Sequence, residues 1–231
     1  MEALSIDDAG YGDELLIGAS ITVRLAVYSF ALSLLGGLLL SFIALSRYAV
    51  LRGCWRVSAS ALMGVPSILV VFFMYYNSPS LIRALFGSGY EVSPFMAGVA
   101  GLAIVYSVYV GEAFRGAIIN VPAGQFDAGR SLGLHPMKLW GFIILPQALR
   151  LALPGLINVW MVVLKDTALV SMVGLADIVR VADVSAAVTK QPFLFYLVVG
   201  FAYIIFSSIT MVAAERFERW VNRGQEQARG F

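Results

Sequence analysis

"DAGRSLGLHPMKLWGFIILP" runs from Asp127 to Pro146, a charged and glycine-punctuated segment in a chain that is otherwise apolar. An acid at Asp127 suits the first turn of a helix, where the macrodipole favours negative charge. Ala128 and Gly129 carry almost no side chain. Gly133 suits a left-handed stop at a helix C-terminus. Pro136 suits the first turn of a helix that follows. The segment therefore predicts two short helices joined at Gly133–His135, with Leu134 inside the joint. The first helix would present a bare face at Ala128 and Gly129, against which another protein could pack closely. On these features alone the segment fits either a partner-docking element or an amphipathic loop lying on a membrane surface.

The surrounding chain settles where such a segment would sit. Of 231 residues, 60% are hydrophobic and 13% are charged, with a mean hydropathy of +0.85. A soluble domain carries about 25% charged residues, so this chain has too little polar surface to cover itself in water. The charges cluster and leave apolar runs of about 20 residues, long enough to cross a bilayer as helix. The short alternating segments of a membrane β-barrel are not seen. The expected class is all-α: a polytopic membrane protein forming one transmembrane domain over residues 1–231, without a soluble catalytic unit.

Five transmembrane helices are expected, at roughly 17–45, 57–77, 93–114, 154–174 and 193–214. Basic residues orient them. Arg47, Arg52 and Arg56 follow the first span, Arg115, Arg130, Lys138 and Arg150 the third, and Arg216, Arg219, Arg223 and Arg229 the fifth. Arg83, Arg180 and Lys190 lie on the other side, so the count is eleven against three. The N-terminus is expected outside and the C-terminus in the cytoplasm, which puts the loop of roughly 115–150, with its quoted segment, in the cytoplasm. The first 23 residues hold Glu2, Asp7, Asp8, Asp13 and Glu14 and no Lys or Arg, unlike a cleaved signal peptide.

Several function classes drop out. Cys54 is the single cysteine and His135 the single histidine, so no disulfide, zinc array or His-rich metal site is expected. No nucleophile–base set marks a catalytic residue, and no metal ligands are assigned. The basic tail reads as an anchor to anionic lipid rather than a nucleic-acid surface. Within the spans, Ser33, Gly37 and Ser41 recur every four residues, a spacing that lets helices approach closely in lipid. That stripe suits packing inside the bundle or a subunit contact. Tyr75 and Tyr76 suit an interfacial belt or a substrate path. Glu112 and Arg115 read as a helix-end pair or a gate, and Arg24 as a residue snorkelling outward.

Lys165 and Asp166 are more informative. They lie about 18 Å along a helix from Pro154, at 1.5 Å per residue, hence within the bilayer. Charges there usually face the bundle interior or a water-filled path. They form either a self-neutralising pair or part of a pathway, to which Thr167 and Ser171 would add neutral hydrogen bonds.

The quoted loop resembles the EAA loop of ABC-importer permeases, whose pattern is EAA, three residues, Gly, nine residues, Ile, one residue, Leu-Pro. Asp127-Ala128-Gly129, Gly133, Ile143 and Leu145-Pro146 stand at the anchors with the right spacing, with Asp for Glu and Gly for the second Ala. "GEAFRGAIINVPAGQFDAGRSLG" (Gly111–Gly133), "LPQALRLALPGLINVW" (Leu145–Trp160) and "LKDTALVSMVGLADIVR" (Leu164–Arg180) resemble the polar amino acid and opine permeases of the histidine/lysine/arginine type, closest to the Q-type half of a heterodimer. "MGVPSILVVFFMYY" (Met63–Tyr76) resembles that family's RGTP-type segment, with Met63 where arginine is usual.

The resemblance implies a type I ABC-importer permease fold in a bacterial inner membrane, with the quoted loop coupling to an ATPase. It implies two copies of a cytoplasmic P-loop ATPase, a periplasmic solute-binding protein and a homologous M-type permease subunit as partners. ATP and Mg would be bound by the ATPase, since this chain has no GxxxxGK[ST] loop, and this chain itself would carry no cofactor. In homodimeric members that carry basic amino acids, a glutamate stands seven residues before the aspartate of the LKDT segment. That position is Val159, beside Asn158. The expected substrate pathway is therefore Asn158, Val159, Asp166 and Thr167, lacking a second carboxylate that the M-type subunit would supply. A secondary transporter is disfavoured by the lack of a visible internal repeat, and a membrane scaffold would leave the coupling-loop pattern unexplained.

Overall fold

The computed structural model describes residues 4–5, 10–86 and 92–226. Glu2, Asp7, Asp8 and Arg229, used in the charge reading above, lie outside the described residues. The described chain is helical: α1 (Gly12–Ala44), α2 (Ala49–Gly64), α3 (Ser67–Phe86), α4 (Pro94–Ile119), α5 (Ala123–Ser131), α6 (Pro136–Leu139), α7 (Leu145–Val170), α8 (Ile178–Thr189) and α9 (Pro192–Glu226).

α4 is the centre of the bundle, because small residues let its neighbours come close on every side. Ser93 caps its start, accepting the Met96 N–H, and Pro94 fills the first turn. Along α1, a Cβ on Gly36 would collide with Ser107 and one on Gly37 with Val110, both on α4. Ser33 donates to the Ser29 carbonyl at 2.7 Å and reaches the Ala103 carbonyl of α4 at 3.5 Å. The small-residue stripe thus serves packing within the bundle. On its other flanks α4 meets α3 where Gly101 lies against Val71, and α7 where Gly98 lies against Val170. Leu25, Val71, Leu102, Val163 and Val170 fill the resulting core. Gly37→Leu should wedge α1 off α4, since overpacking costs typically 1–3 kcal/mol and more where backbone must move. The expected result is loss of monodisperse protein on size-exclusion chromatography, whereas Gly53→Leu on open surface should be tolerated.

The span expected at 57–77 is not one straight helix. Two helices, α2 and α3, meet there at 96°. Pro66 cannot donate to a helix ladder and disfavours helical geometry in the residue before it. Val65 is accordingly extended, at φ −90° and ψ 130°. Counting apolar residues missed this because the run stays apolar through the break.

The loop after α4 also departs from expectation. The joint at Gly133 is present, but the second short helix is not separate: α6 passes through a π turn at Trp140–Ile144 straight into α7. Pro146 lacks an N–H and crowds the carbonyl four residues back, so the ladder shifts register there. The Leu145 N–H instead reaches the Trp140 carbonyl, five residues back. The fourth long helix therefore starts well before Pro154, which sits inside it.

A helix between the last two spans, α8, was not expected. Asp177 is its N-cap, accepting the Arg180 N–H at 3.0 Å. It packs on α1 and α9 through Leu15, Ile178, Ala182 and Phe195. Gly18 makes this possible, since a Cβ there would lie 2.9 Å from Ile178 Cα. Asp177 is fully buried and its Oδ2 has no hydrogen-bond partner among the described residues. Burial pushes its carboxyl up to about 6, against the pull of backbone N–H groups. A raised carboxyl pKa means the folded protein binds more protons than the unfolded chain between about pH 4 and pH 6. Thermal stability in detergent should therefore fall as pH rises through that window, by roughly 3 kcal/mol for a two-unit shift, and be flat above it. Asp177→Asn, which keeps the cap oxygen, should remove that pH dependence in a melting series from pH 4 to pH 8.

Candidate functional site

Two regions hold the residues singled out by sequence. The first is the loop from α5 to α6. Gly133 adopts φ +70°, a left-handed conformation open to glycine at little cost. The Leu134 N–H donates to the Gly129 carbonyl at 3.1 Å and the Gly133 N–H to the Arg130 carbonyl at 2.9 Å. This is the Schellman arrangement, which satisfies the last carbonyls of α5. His135 then caps α6, its Nδ1 accepting the Met137 N–H at 3.4 Å. Phe126 meets Trp140 edge to face, and Gln147 donates to Gln125 at 3.2 Å, so α5 is tied back to the start of the fourth long helix.

Gly129 needs correction here. It was expected on an open face, yet it is buried, and a Cβ there would collide with Leu139 of α6. Its smallness serves this chain's own hairpin. The outward surface is made instead by Asp127, Ala128, Leu132, His135 and Met137, all exposed. Leu132 and Met137 expose 77% and 79% of their surface, unusual for large apolar residues on a charged loop. The Asp127–Arg130 pair spans 3.6 Å and is open to solvent, so it contributes little.

The second region is in the bundle. Asp166 on α7 is half-buried, and its Oδ2 accepts two hydroxyls: Ser67 of α3 at 2.6 Å and Tyr106 of α4 at 2.5 Å. Ser67 is the first residue after the Pro66 break, so the bend is what delivers it. Lys165 points elsewhere and is exposed. The carboxylate is thus held by hydroxyls from other helices and not by its neighbour. Thr167 is buried, donates to the Leu164 carbonyl at 2.6 Å and lies 3.1 Å from the Tyr203 hydroxyl of α9. Val159, two helical turns before Asp166, falls on the same helical face and packs against the bundle's apolar core. Asn158 falls with Lys165 on another, exposed face. The structure therefore brings Val159, Asp166 and Thr167 toward the bundle and leaves Asn158 apart. Sequence reasoning missed Ser67, Tyr106 and Tyr203; the proline before Ser67 was the one available signal.

Glu112 forms a helix-end ion pair with Arg115 at 2.7 Å and also accepts the Trp55 indole N–H at 2.8 Å, which pins α2 to α4.

Four long apolar helices and one broken pair, with α1, α2, α3 and α7 packed on α4 and α9 held by α7 and α8, define a multi-pass membrane subunit of all-helical fold. The model of the family described as binding-protein-dependent transport system inner membrane component matches residues 25–223, and the chain belongs to that family. It is a permease component of an ABC-type importer in a bacterial inner membrane, a transport subunit rather than an enzyme, working with an ATPase and a solute-binding protein. The nopaline transport system permease protein NocQ of Agrobacterium fabrum is 40% identical over 94% of each chain. The octopine transport system permease protein OccQ of Rhizobium meliloti is 35% identical over 94% of this chain and 92% of its own. A solved structure described as an amino acid ABC transporter with histidines superposes with a TM-score of 0.79 at 29% identity, covering 90% of this chain and 94% of the other.

Proposed function

We propose that this chain forms half of the translocation pathway of an importer for an opine or a basic amino acid, and that α5 with the α5–α6 turn is its contact with the ATPase. The observation that carries the coupling role is the exposed apolar pair Leu132 and Met137, held out by the Gly133 turn on a hairpin tied to α7. Asp127, Ala128 and His135 surround them, while Gly129, Gly133 and Leu134 fix the shape behind. Two ATPase copies and a homologous second permease subunit complete the assembly. The cargo class is supported by the likeness to the nopaline and octopine permeases. Among the described residues, Asp166 is the carboxylate that α7 offers to a cationic cargo, and the apolar surroundings of Val159 provide no second one. The partner subunit supplies it. Reconstitution tests this: with ATPase and binding protein, transport should require the second permease. Full-rate transport by this permease alone with those components would reject the heterodimer.

The charge asymmetry supports an outside N-terminus and a cytoplasmic α5. In a Cys54→Ala background, Gln191→Cys should react with an impermeant thiol reagent in intact cells. Ser131→Cys should react only after the membrane is opened. The reversed pattern would overturn the orientation.

A further inference from the structure

At the end of the bundle where α4 leads into α5, a cavity of about 630 Å³ opens between the end of α1, the length of α2 and the end of α4. Arg47, Arg52, Arg56 and Arg115 line it, with Glu112 as the single acid. Glu112 is already spent on Arg115 and Trp55. Arg47 is held by Tyr48, donating to its hydroxyl at 2.9 Å with the guanidinium 5.0 Å from the ring centre. Arg52 donates to the Ser46 and Arg47 carbonyls at 2.9 and 3.0 Å, just past the end of α1. Among the described residues, no carboxylate lies within ion-pair distance of Arg47, Arg52 or Arg56. The cavity thus carries an uncompensated charge of three cations.

The opposite face of α2 is apolar and bare, with Val50 and Val57 exposed by 76% and 70%. α2 also turns 96° from α3. A short helix lying across a membrane helix, with one apolar face and one arginine face, belongs at the lipid–water boundary. Its arginine face would then sit at headgroup depth, and its apolar face among acyl chains.

We propose that this cavity is a binding site for the phosphate diester of an anionic phospholipid in the leaflet facing the coupling loop. Guanidinium forks match phosphate oxygens two at a time. The acyl chains extend along the bare face of α2, which a free phosphate would leave uncovered. Since the cavity wall includes Trp55 and Met63, an occupant bears on the helix that ends at the Pro66 break. The cytoplasmic placement rests on the orientation proposed above, but binding itself does not: the thiol-labelling result reports the side and the lipid measurement reports the site.

The test uses the assembled complex, delipidated in mild detergent and titrated with dioleoylphosphatidylglycerol or dioleoylphosphatidylcholine, with bound lipid read by native mass spectrometry. The wild type should prefer phosphatidylglycerol. Arg47→Gln with Arg56→Gln should weaken that binding about fivefold for each arginine removed, while Arg56→Lys should keep most of it. Arg56 has no hydrogen bond or ion pair among the described residues, so Arg56→Gln alone should fold and still show its fivefold loss. Unchanged affinity in these variants overturns the proposal. So does a loss produced only by Arg216→Gln with Arg219→Gln, which would assign the lipid to the tail. Displacement of the lipid by millimolar inorganic phosphate would make the ligand a free anion. Absence of bound lipid in the complex but not in the isolated permease would mean that a partner's acidic side chain occupies the cavity. Either result also overturns it.

Discussion

Leu132→Asp should nearly abolish ATP-driven uptake while leaving the protein inserted and folded. Leu132 is exposed by 77% and touches no core, so its replacement costs the isolated subunit little. In the assembly the same side chain would be covered by the ATPase. Burying a leucine is worth about 1.5–3 kcal/mol, and an unpaired carboxylate forced into that contact adds a desolvation penalty. The expected loss is roughly ten- to a hundredfold in affinity for the ATPase, read as co-purification of the two subunits and as binding-protein-stimulated ATP hydrolysis. Ala128→Trp on the same helical face should act similarly by bulk. Gly129→Trp is the informative contrast: it should unfold the hairpin by colliding with Leu139, lowering protein yield as well as coupling. Normal uptake by Leu132→Asp and Ala128→Trp together would remove α5 from the docking role.

That contrast shows what a sequence can and cannot disclose. The anchors of the loop were legible because each has a local physical signature: Gly133 needs a left-handed residue, and Pro136 suits a first turn. The direction Gly129 faces was not legible. A missing side chain reads the same whether the close neighbour is another protein or Leu139, ten residues on. The long spans were legible because lipid demands about 20 apolar residues for each. The bend between α2 and α3 was missed for the same reason, since apolar residues continue through Pro66 whatever path the chain takes. α8 was missed because a short helix resting on the bundle needs no such run. Its one local mark is the capping acid Asp177, and nothing in the sequence shows that acid buried against Gly18 and Thr22.

Asp166 was visible as a charge in the bilayer, but its partners were not. Ser67 and Tyr106 are 99 and 60 residues away in the chain, and only the fold brings their hydroxyls to one oxygen. The carboxylate therefore has a structural duty, joining α3 and α4 to α7, beside any contact with cargo, and substitutions separate the two. Asp166→Leu orphans both hydroxyls, at about 1–3 kcal/mol for each buried group left unmet. It should lower the melting temperature of the detergent-purified permease, and uptake should fall with the amount of folded protein. Asp166→Asn keeps an acceptor for the hydroxyls and removes the charge. Its fold should hold, and any transport defect should appear as a raised KM for cationic cargo. If the second permease subunit supplies most of the cargo contacts, that defect is smaller than the one caused by removing the partner's acidic residue. Tyr106→Phe removes one donor and leaves the charge, so it should lower stability modestly with KM unchanged. A raised KM in Tyr106→Phe with normal stability would instead place the hydroxyl in the pathway itself.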